Sequence, residues 1–134
     1  MKKGFEIGQS NEVIQAGRIY DLHNLYDFSG VIIKGVPCKF QILFEPNSEH
    51  GGGQLPISLN FEEVDYLEFS SNFGTQEISS LDEMGYKNPE DRDDTWLMEE
   101  KDISPESHLF FRFDGGSFIR VHCRNADLKV AKTG

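Results

Sequence analysis

Cysteine is scarce in this chain of 134 residues, which contains only two, Cys38 and Cys123. A secreted scaffold of this size that depends on disulfides usually carries more. Each cysteine lies in an apolar alternation, so we expect both to be small buried hydrophobic residues. The chain also lacks any run of about 18 apolar residues, so the sequence predicts no membrane-spanning helix.

Targeting and repeat signals are lacking as well. Residues 1–6 carry positive charge with no apolar run behind it, so no signal peptide is expected. Together with the cysteine count, this predicts a cytoplasmic protein. The length and the absence of internal repeats or low-complexity tracts predict one domain spanning residues 1–134.

Motifs for metal binding and nucleotide chemistry are missing too: there is no His-x-x-x-His, no Cys-x-x-Cys and no P-loop. His23 lies between Asp21 and Asp27, a setting that suits a general base or a metal ligand, but nothing completes such a site. We therefore expect His23 to be a hydrogen-bonded structural residue at a strand entrance.

Two further patterns resemble functional motifs only in part. His50-Gly51-Gly52-Gly53 has the letters of an esterase oxyanion loop, but the chain has no Gly-x-Ser-x-Gly nucleophile. The acids Asp91, Asp93 and Asp94 lack the spacing and the central glycine of a calcium loop. The sequence thus predicts no catalytic residue, no metal and no cofactor, and a protein that is not an enzyme.

Negative charge is concentrated in one part of the chain. The net charge is −10, and residues 62–106 contain fifteen acids and three bases. Such a field repels nucleic acid and anionic membranes and favours a basic protein surface. The alternative is that these acids only keep a solvated loop soluble.

Aromatic residues are abundant, with eleven Phe and four Tyr, and they favour strands. Apolar and polar residues alternate over residues 38–45 and 57–62, which is typical of half-buried antiparallel strands. The predicted fold is mainly β, an antiparallel sandwich or curved sheet, with one or two short helices between residues 77 and 100.

The closing hairpin, residues 109–123, is the most informative segment. A two-residue loop would place Arg120 opposite Phe111 on the apolar face. A three-residue loop, residues 114–116, pairs Phe111 with Ile119 instead, so the apolar pattern selects the longer loop.

That register leaves an aromatic and basic stripe on the opposite face: Phe110, Arg112, Phe118, Arg120 and His122. We expect the acidic middle segment or the N-terminal segment to cover it, with a partner-binding face as the alternative.

Local signals predict the remaining elements. A short helix is expected over Glu77 to Met84 with Gly85 as its C-terminal cap, and a second helix is expected to start at Asn88-Pro89. Residues 11–26 fit either an amphipathic helix or a short helix or strand followed by an irregular turn at residues 21–24.

Three segments resemble a loose group of small bacterial β-rich domains, some of which are immunity proteins: residues 20–23 leading into 31–33, residues 57–67, and the hairpin around Phe111-Arg112-Phe113. Members of the immunity group neutralise a toxin by binding it, so the resemblance implies a role of that kind. The acidic residues 88–102 have no counterpart in that group.

These observations predict a non-enzymatic domain that binds a basic protein and neither nucleic acid nor membrane. A small-ligand or scaffold domain, using the space between its sheets, is the alternative. Trp96 is either an interface anchor or a lid on the core. The predicted partner-binding residues are Glu90, Asp91, Asp93, Asp94, Trp96, Glu99 and Glu100.

Overall fold

The computed structural model describes residues 1–93 and 95–132. Strands hold 51% of the chain, which confirms the mainly β prediction. The described chain contains β1 (Lys2–Lys3), β2 (Glu6–Ile7), β3 (Val13–Gln15), β4 (Arg18–Tyr20), α1 (Leu22–Leu25), β5 (Tyr26–Lys34), β6 (Lys39–Pro46), β7 (Ile57–Phe69), β8 (Leu81–Lys87), β9 (His108–Phe113) and β10 (Phe118–Val130). Two 3-10 turns cover Glu100–Asp102 and Asp114–Gly116.

Two sheets enclose one core. The large sheet has the antiparallel order β5-β6-β7-β10-β9-β8, and β1 adds a short parallel pairing to β10. The small sheet has the order β2-β3-β4. Side chains of both sheets, such as Val13 and Tyr20 from the small one and Phe61 and Phe111 from the large one, belong to a single buried cluster. The space between the sheets is therefore filled by packed side chains.

The large sheet is strongly curved, because its two edge strands approach each other near the start of β5. The Phe28 N–H donates to the Ser79 carbonyl, just before β8, over 2.8 Å. The Phe28 and Phe113 rings lie 4.8 Å apart, and His23 Nδ1 lies 2.6 Å from the Leu81 carbonyl oxygen. His23 therefore joins the entrance of β5 to β8, which confirms the hydrogen-bonded position expected for it at a strand entrance.

The closing hairpin has the register that the apolar pattern predicts. Ile119 pairs with Phe111, and the Phe113 N–H donates to the Ser117 carbonyl over 2.8 Å across a three-residue loop. Gly115 and Gly116 adopt φ angles of 78° and 84°, where a residue with a Cβ would be strained. The three-residue loop is therefore confirmed.

The helix expected over residues 77–84 is wrong, because residues 81–87 form strand β8. Four successive residues, 84–87, are buried in this strand. An extra residue between Leu81 and Glu83 also interrupts the period-2 alternation that identifies a strand in a sequence. Gly85 is not a helix cap: it lies within β8, where a Cβ would come within 2.9 Å of the Leu97 Cβ and of the Met98 carbonyl oxygen.

Among residues 88–93 and 95–98, which the structure describes, the helix expected to start at Asn88 is also absent. That stretch begins with a turn in which the Asp91 N–H donates to the Asn88 carbonyl over 3.0 Å.

At the other end of the chain, β3 and β4 form a hairpin, and the Asp21 side chain accepts from the Asn24 N–H to cap α1. Of the two alternatives for residues 11–26, the strand is confirmed, but helix α1 at residues 22–25 replaces the irregular turn expected at residues 21–24.

The two cysteines have different environments. Cys123 is fully buried, as expected, whereas Cys38 is only partly buried, and both are free thiols. Burial raises the pKa of the Cys123 thiol to about 12, so it carries almost no reactive thiolate at neutral pH.

Within residues 1–93 and 95–132, no helix is long and apolar enough to cross a membrane.

We predict that a thiol reagent labels Cys38 in the native protein and leaves Cys123 unmodified until the chain unfolds. The check is the stoichiometry of thiol modification with and without denaturant. Cys38→Ser should remove the native reaction, and Cys123→Ser should leave it intact. Two equally fast native thiols would contradict the prediction.

Candidate partner-binding surface

The acidic segment, defined as residues 88–102, begins on the outer face of the large sheet, the face opposite the core. Arg120 projects from β10 on that face and is only 3% exposed. Its guanidinium donates to the carbonyl oxygens of Asn88 and Asp91, both at 2.6 Å, and of Pro89 at 3.3 Å. The acidic middle segment therefore covers part of the aromatic and basic stripe, as the sequence predicts.

A second buried cation holds the same stretch. Lys87, the last residue of β8, is 0% exposed. Its Nζ lies 2.9 Å from Asp93 Oδ1 and 3.4 Å from Asp91 Oδ2. The hydrogen bond from Lys87 holds the pKa of Asp93 well below its usual range. A buried ammonium needs such partners, because an uncompensated charge in the interior is strongly destabilising.

The far end of the acidic segment is anchored at Glu100. One carboxylate oxygen of Glu100 lies 2.7 Å from Lys3 Nζ, and the other accepts from the Ile7 N–H at 2.9 Å and from the Tyr86 hydroxyl. Burial, followed by the hydrogen bond to Glu100, raises the pKa of Tyr86. Met98 also exchanges two backbone hydrogen bonds with Tyr86, at 2.9 and 3.1 Å. The segment is thus attached to the sheet at both ends.

Between these anchors, several described residues of the segment face outward. The Trp96 side chain is 60% exposed, with its ring 5.8 Å from Lys87 Nζ, so it is not a lid on the core. Glu90 and Glu99 are exposed as well.

The seven predicted partner-binding residues therefore divide by orientation. Three face outward (Glu90, Trp96 and Glu99), three make internal contacts (Asp91, Asp93 and Glu100), and Asp94 lies outside the described residues.

An open groove of about 360 Å³ runs beside the outward part of the segment. Its apolar lining includes Ile7, Met84 and Leu97, and Glu83 and Glu99 supply carboxylates along it. Glu83 is paired with Arg112, and Glu99 lies 3.7 Å from the exposed Lys101. A lysine or arginine side chain suits such a groove, because its aliphatic stem can contact the apolar residues while its charged end meets a carboxylate.

His108 lies beside His122 of the stripe, with ring centroids 5.5 Å apart, and the sequence analysis did not include His108 in the stripe. Arg120 Nε donates to His108 Nδ1 at 2.9 Å, and the His108 ring stacks on Tyr66 with centroids 4.5 Å apart. Burial, then the Arg120 charge, lowers the pKa of His108 to about 4. His122 Nδ1 lies 2.7 Å from Asp65 Oδ1. Strands β7, β9 and β10 bring these residues together from distant sequence positions, which no local pattern reveals.

The carboxylates that flank His23 in sequence do not gather around it. Asp21 bonds to Asn24, and Asp27 accepts from the Asn47 side chain at 2.9 Å. Across residues 1–93 and 95–132, no three His, Cys, Asp or Glu side chains are arranged to hold a metal ion.

Comparisons of the chain with protein-family models, curated proteins and solved structures found no match.

Replacing Gly85 by alanine should displace the acidic segment from β8, since the new Cβ would meet Leu97 and Met98 at 2.9 Å. We expect a loss of about 1–3 kcal/mol in the free energy of unfolding. Denaturant titration measures it. Gly52→Ala is the matched control, because a Cβ there has no neighbour within 4 Å. Equal stability of the two variants would contradict the contact.

The lowered pKa of His108 predicts a pH dependence of stability. Above about pH 6.5 the ring is neutral in both the folded and the unfolded state, so it contributes nothing. As the pH falls from about 6.5 to about 4, only the unfolded state binds the proton, and stability decreases by about 3 kcal/mol in total.

Urea titrations across that range, on the wild type and on His108→Gln, measure the effect. Gln can still accept a hydrogen bond from Arg120 Nε but does not titrate, so its stability should decline less steeply. His50→Gln serves as the control, because His50 is exposed and should leave the slope unchanged. Identical slopes for His108→Gln and the wild type would refute this assignment.

Proposed function

We propose that this chain is a non-enzymatic protein-binding domain whose acidic segment contacts a basic surface of its partner. The observation that carries the proposal is Trp96, a 60% exposed indole on a segment attached to the sheet at both ends. Tryptophan is enriched among the residues that dominate binding energy. Because hydrogen bonds hold the backbone at Asp91 and at Met98, on either side of Trp96, we expect little loss of ordering free energy on association.

The charge around Trp96 supports a basic partner. Residues 88–102 contain seven acids and two bases, for a net charge of −5. Asp91 and Asp93 compensate Lys87, so the outward field of the described segment arises mainly from Glu90 and Glu99 with the exposed Asp102. Charges at the rim of an interface mainly accelerate association and make it sensitive to salt.

The groove beside the segment supports the same chemistry. Met84 and Leu97 would contact the aliphatic stem of a lysine or arginine from the partner, while Glu99 would meet its charged end. Trp96 and the groove would thus offer an apolar anchor point and a cation-accepting point on neighbouring stretches of one segment.

Two finer statements belong to the same proposal. The resemblance to immunity proteins implies that the basic partner is a toxin that this domain neutralises by binding. The cysteine usage implies that binding occurs in the cytoplasm. The alternative of a small-ligand or scaffold domain that uses the space between its sheets has less support, because packed side chains from both sheets occupy that space.

Partner capture from the native source at low and high salt tests the proposal. The wild type should retain a basic protein at low salt and lose most of it at high salt. Trp96→Ala should weaken that binding by about 2 kcal/mol or more, roughly thirtyfold in Kd. Charge reversal with Glu90→Lys and Glu99→Lys should mainly slow association.

Charge reversal at Asp91 or Asp93 is a poor test, because it would also leave Lys87 buried without its partners. Glu49→Lys is the better control: Glu49 is an exposed acid in the loop between β6 and β7, far from the acidic segment in sequence. Failure to retain any basic protein, or retention that Trp96→Ala and the Glu90 and Glu99 reversals leave unchanged, would overturn the proposal.

A further inference from the structure

A group of lysines on the large sheet has no role in the acidic surface. Within residues 1–93 and 95–132, seven of the thirteen bases pair with carboxylates or, for Arg120, with backbone carbonyls. Three of the remaining six, Lys34, Lys39 and Lys129, line one open groove of about 250 Å³ on the outer face. In a chain of net charge −10, three lysines that share one depression and form no ion pair among the described residues are an unexpected arrangement.

The strand register places two of these lysines against each other. Lys34 of β5 and Lys39 of β6 are directly opposed, next to the pair formed by Ile32 and Gln41 on the same face. Like charges that are directly opposed across two strands are destabilising. An anion bound between them would remove that repulsion.

A row of polar side chains forms the floor of the groove. Gln41 Nε2 donates to Asn60 Oδ1, and Asn60 Nδ2 donates to the Ser58 hydroxyl at 3.0 Å. Asn60 is only 8% exposed, so this row is fixed in place. Lys129 of β10 is paired with Ser58 of β7, at the far end of the row. The lysines therefore border the floor from both sides.

The groove also sets limits on its ligand. Its volume is below the range of about 300–1,000 Å³ that is usual for small-molecule sites, which favours a compact group. Glu62 also lines it, so the lining carries three positive charges and one negative charge. A long polyanion would meet the repulsion of the whole acidic chain, whereas a small anion would experience mainly the local lysines.

We propose that the groove between Lys34, Lys39 and Lys129 binds a small molecule through its phosphate group, on a surface separate from the acidic segment. Lysine ammonium groups serve as point-charge ligands for phosphate, and a phosphate dianion balances the net charge of the lining. The Gln41 amide offers an additional hydrogen-bond donor next to the bound oxygens.

Titration of the full chain with pyrophosphate at low ionic strength, followed by amide chemical shifts, tests the proposal. Saturable shifts are expected on residues of β5, β6, β7 and β10 around the groove. Lys34→Gln, Lys39→Gln and Lys129→Gln should each raise the Kd about three- to tenfold. Without ligand, Lys34→Gln should raise the Tm slightly, because it removes the repulsion from Lys39.

Arg18→Gln is the matched control, because Arg18 is an exposed base on the small sheet. It should leave the Kd unchanged. The proposal is overturned if pyrophosphate causes no saturable shift, or if Arg18→Gln weakens binding as much as the lysine variants do. Tighter binding of a single-stranded oligonucleotide through the same lysines would instead identify a nucleic-acid surface. None of these outcomes depends on a protein partner for the acidic segment.

Discussion

The burial of two cations, Lys87 and Arg120, is the constraint on which the acidic side of this molecule depends. Lys87 lies at the end of β8 and Arg120 in the middle of β10, and the first residues of the acidic segment compensate both. The segment meets them in two ways, with carboxylates for the ammonium and with backbone carbonyls for the guanidinium. Some carboxylates of the segment therefore stabilise the fold, and the outward-facing carboxylates are the ones available to a partner.

Strand order separates this acidic region from the lysine groove. Strand β8 and the segment paired to it lie at one edge of the large sheet, and the hairpin of β5 and β6 that carries Lys34 and Lys39 lies at the other. The sheet curves so that these edges approach each other near the start of β5, through Phe28 and Ser79. One fold can thus present opposite charges on different parts of its surface while sharing a single core.

The register of the closing hairpin was predictable because only a three-residue loop pairs Phe111 with Ile119 and keeps Arg120 off the core face. Strand β8 was missed because an extra residue between Leu81 and Glu83 interrupts its alternation, and because the charged Lys87 is buried in it. The burial of Lys87 and the different roles of Glu99 and Glu100 depend on the pairing of Met98 with Tyr86. Patterns in a single sequence do not reveal such a pairing between distant residues.

The bridge between Tyr86 and Met98 has a consequence for the behaviour of the protein at high concentration. An edge strand with unpaired backbone groups can template the addition of strands from other molecules. Met98, together with the Asn11 side chain that accepts from the Met84 N–H at 3.0 Å, occupies such groups on β8. At the other edge, a register irregularity between Phe28 and Gly30 interrupts β5. Loss of the acidic segment from β8 would therefore expose a growing end for fibril-like assembly.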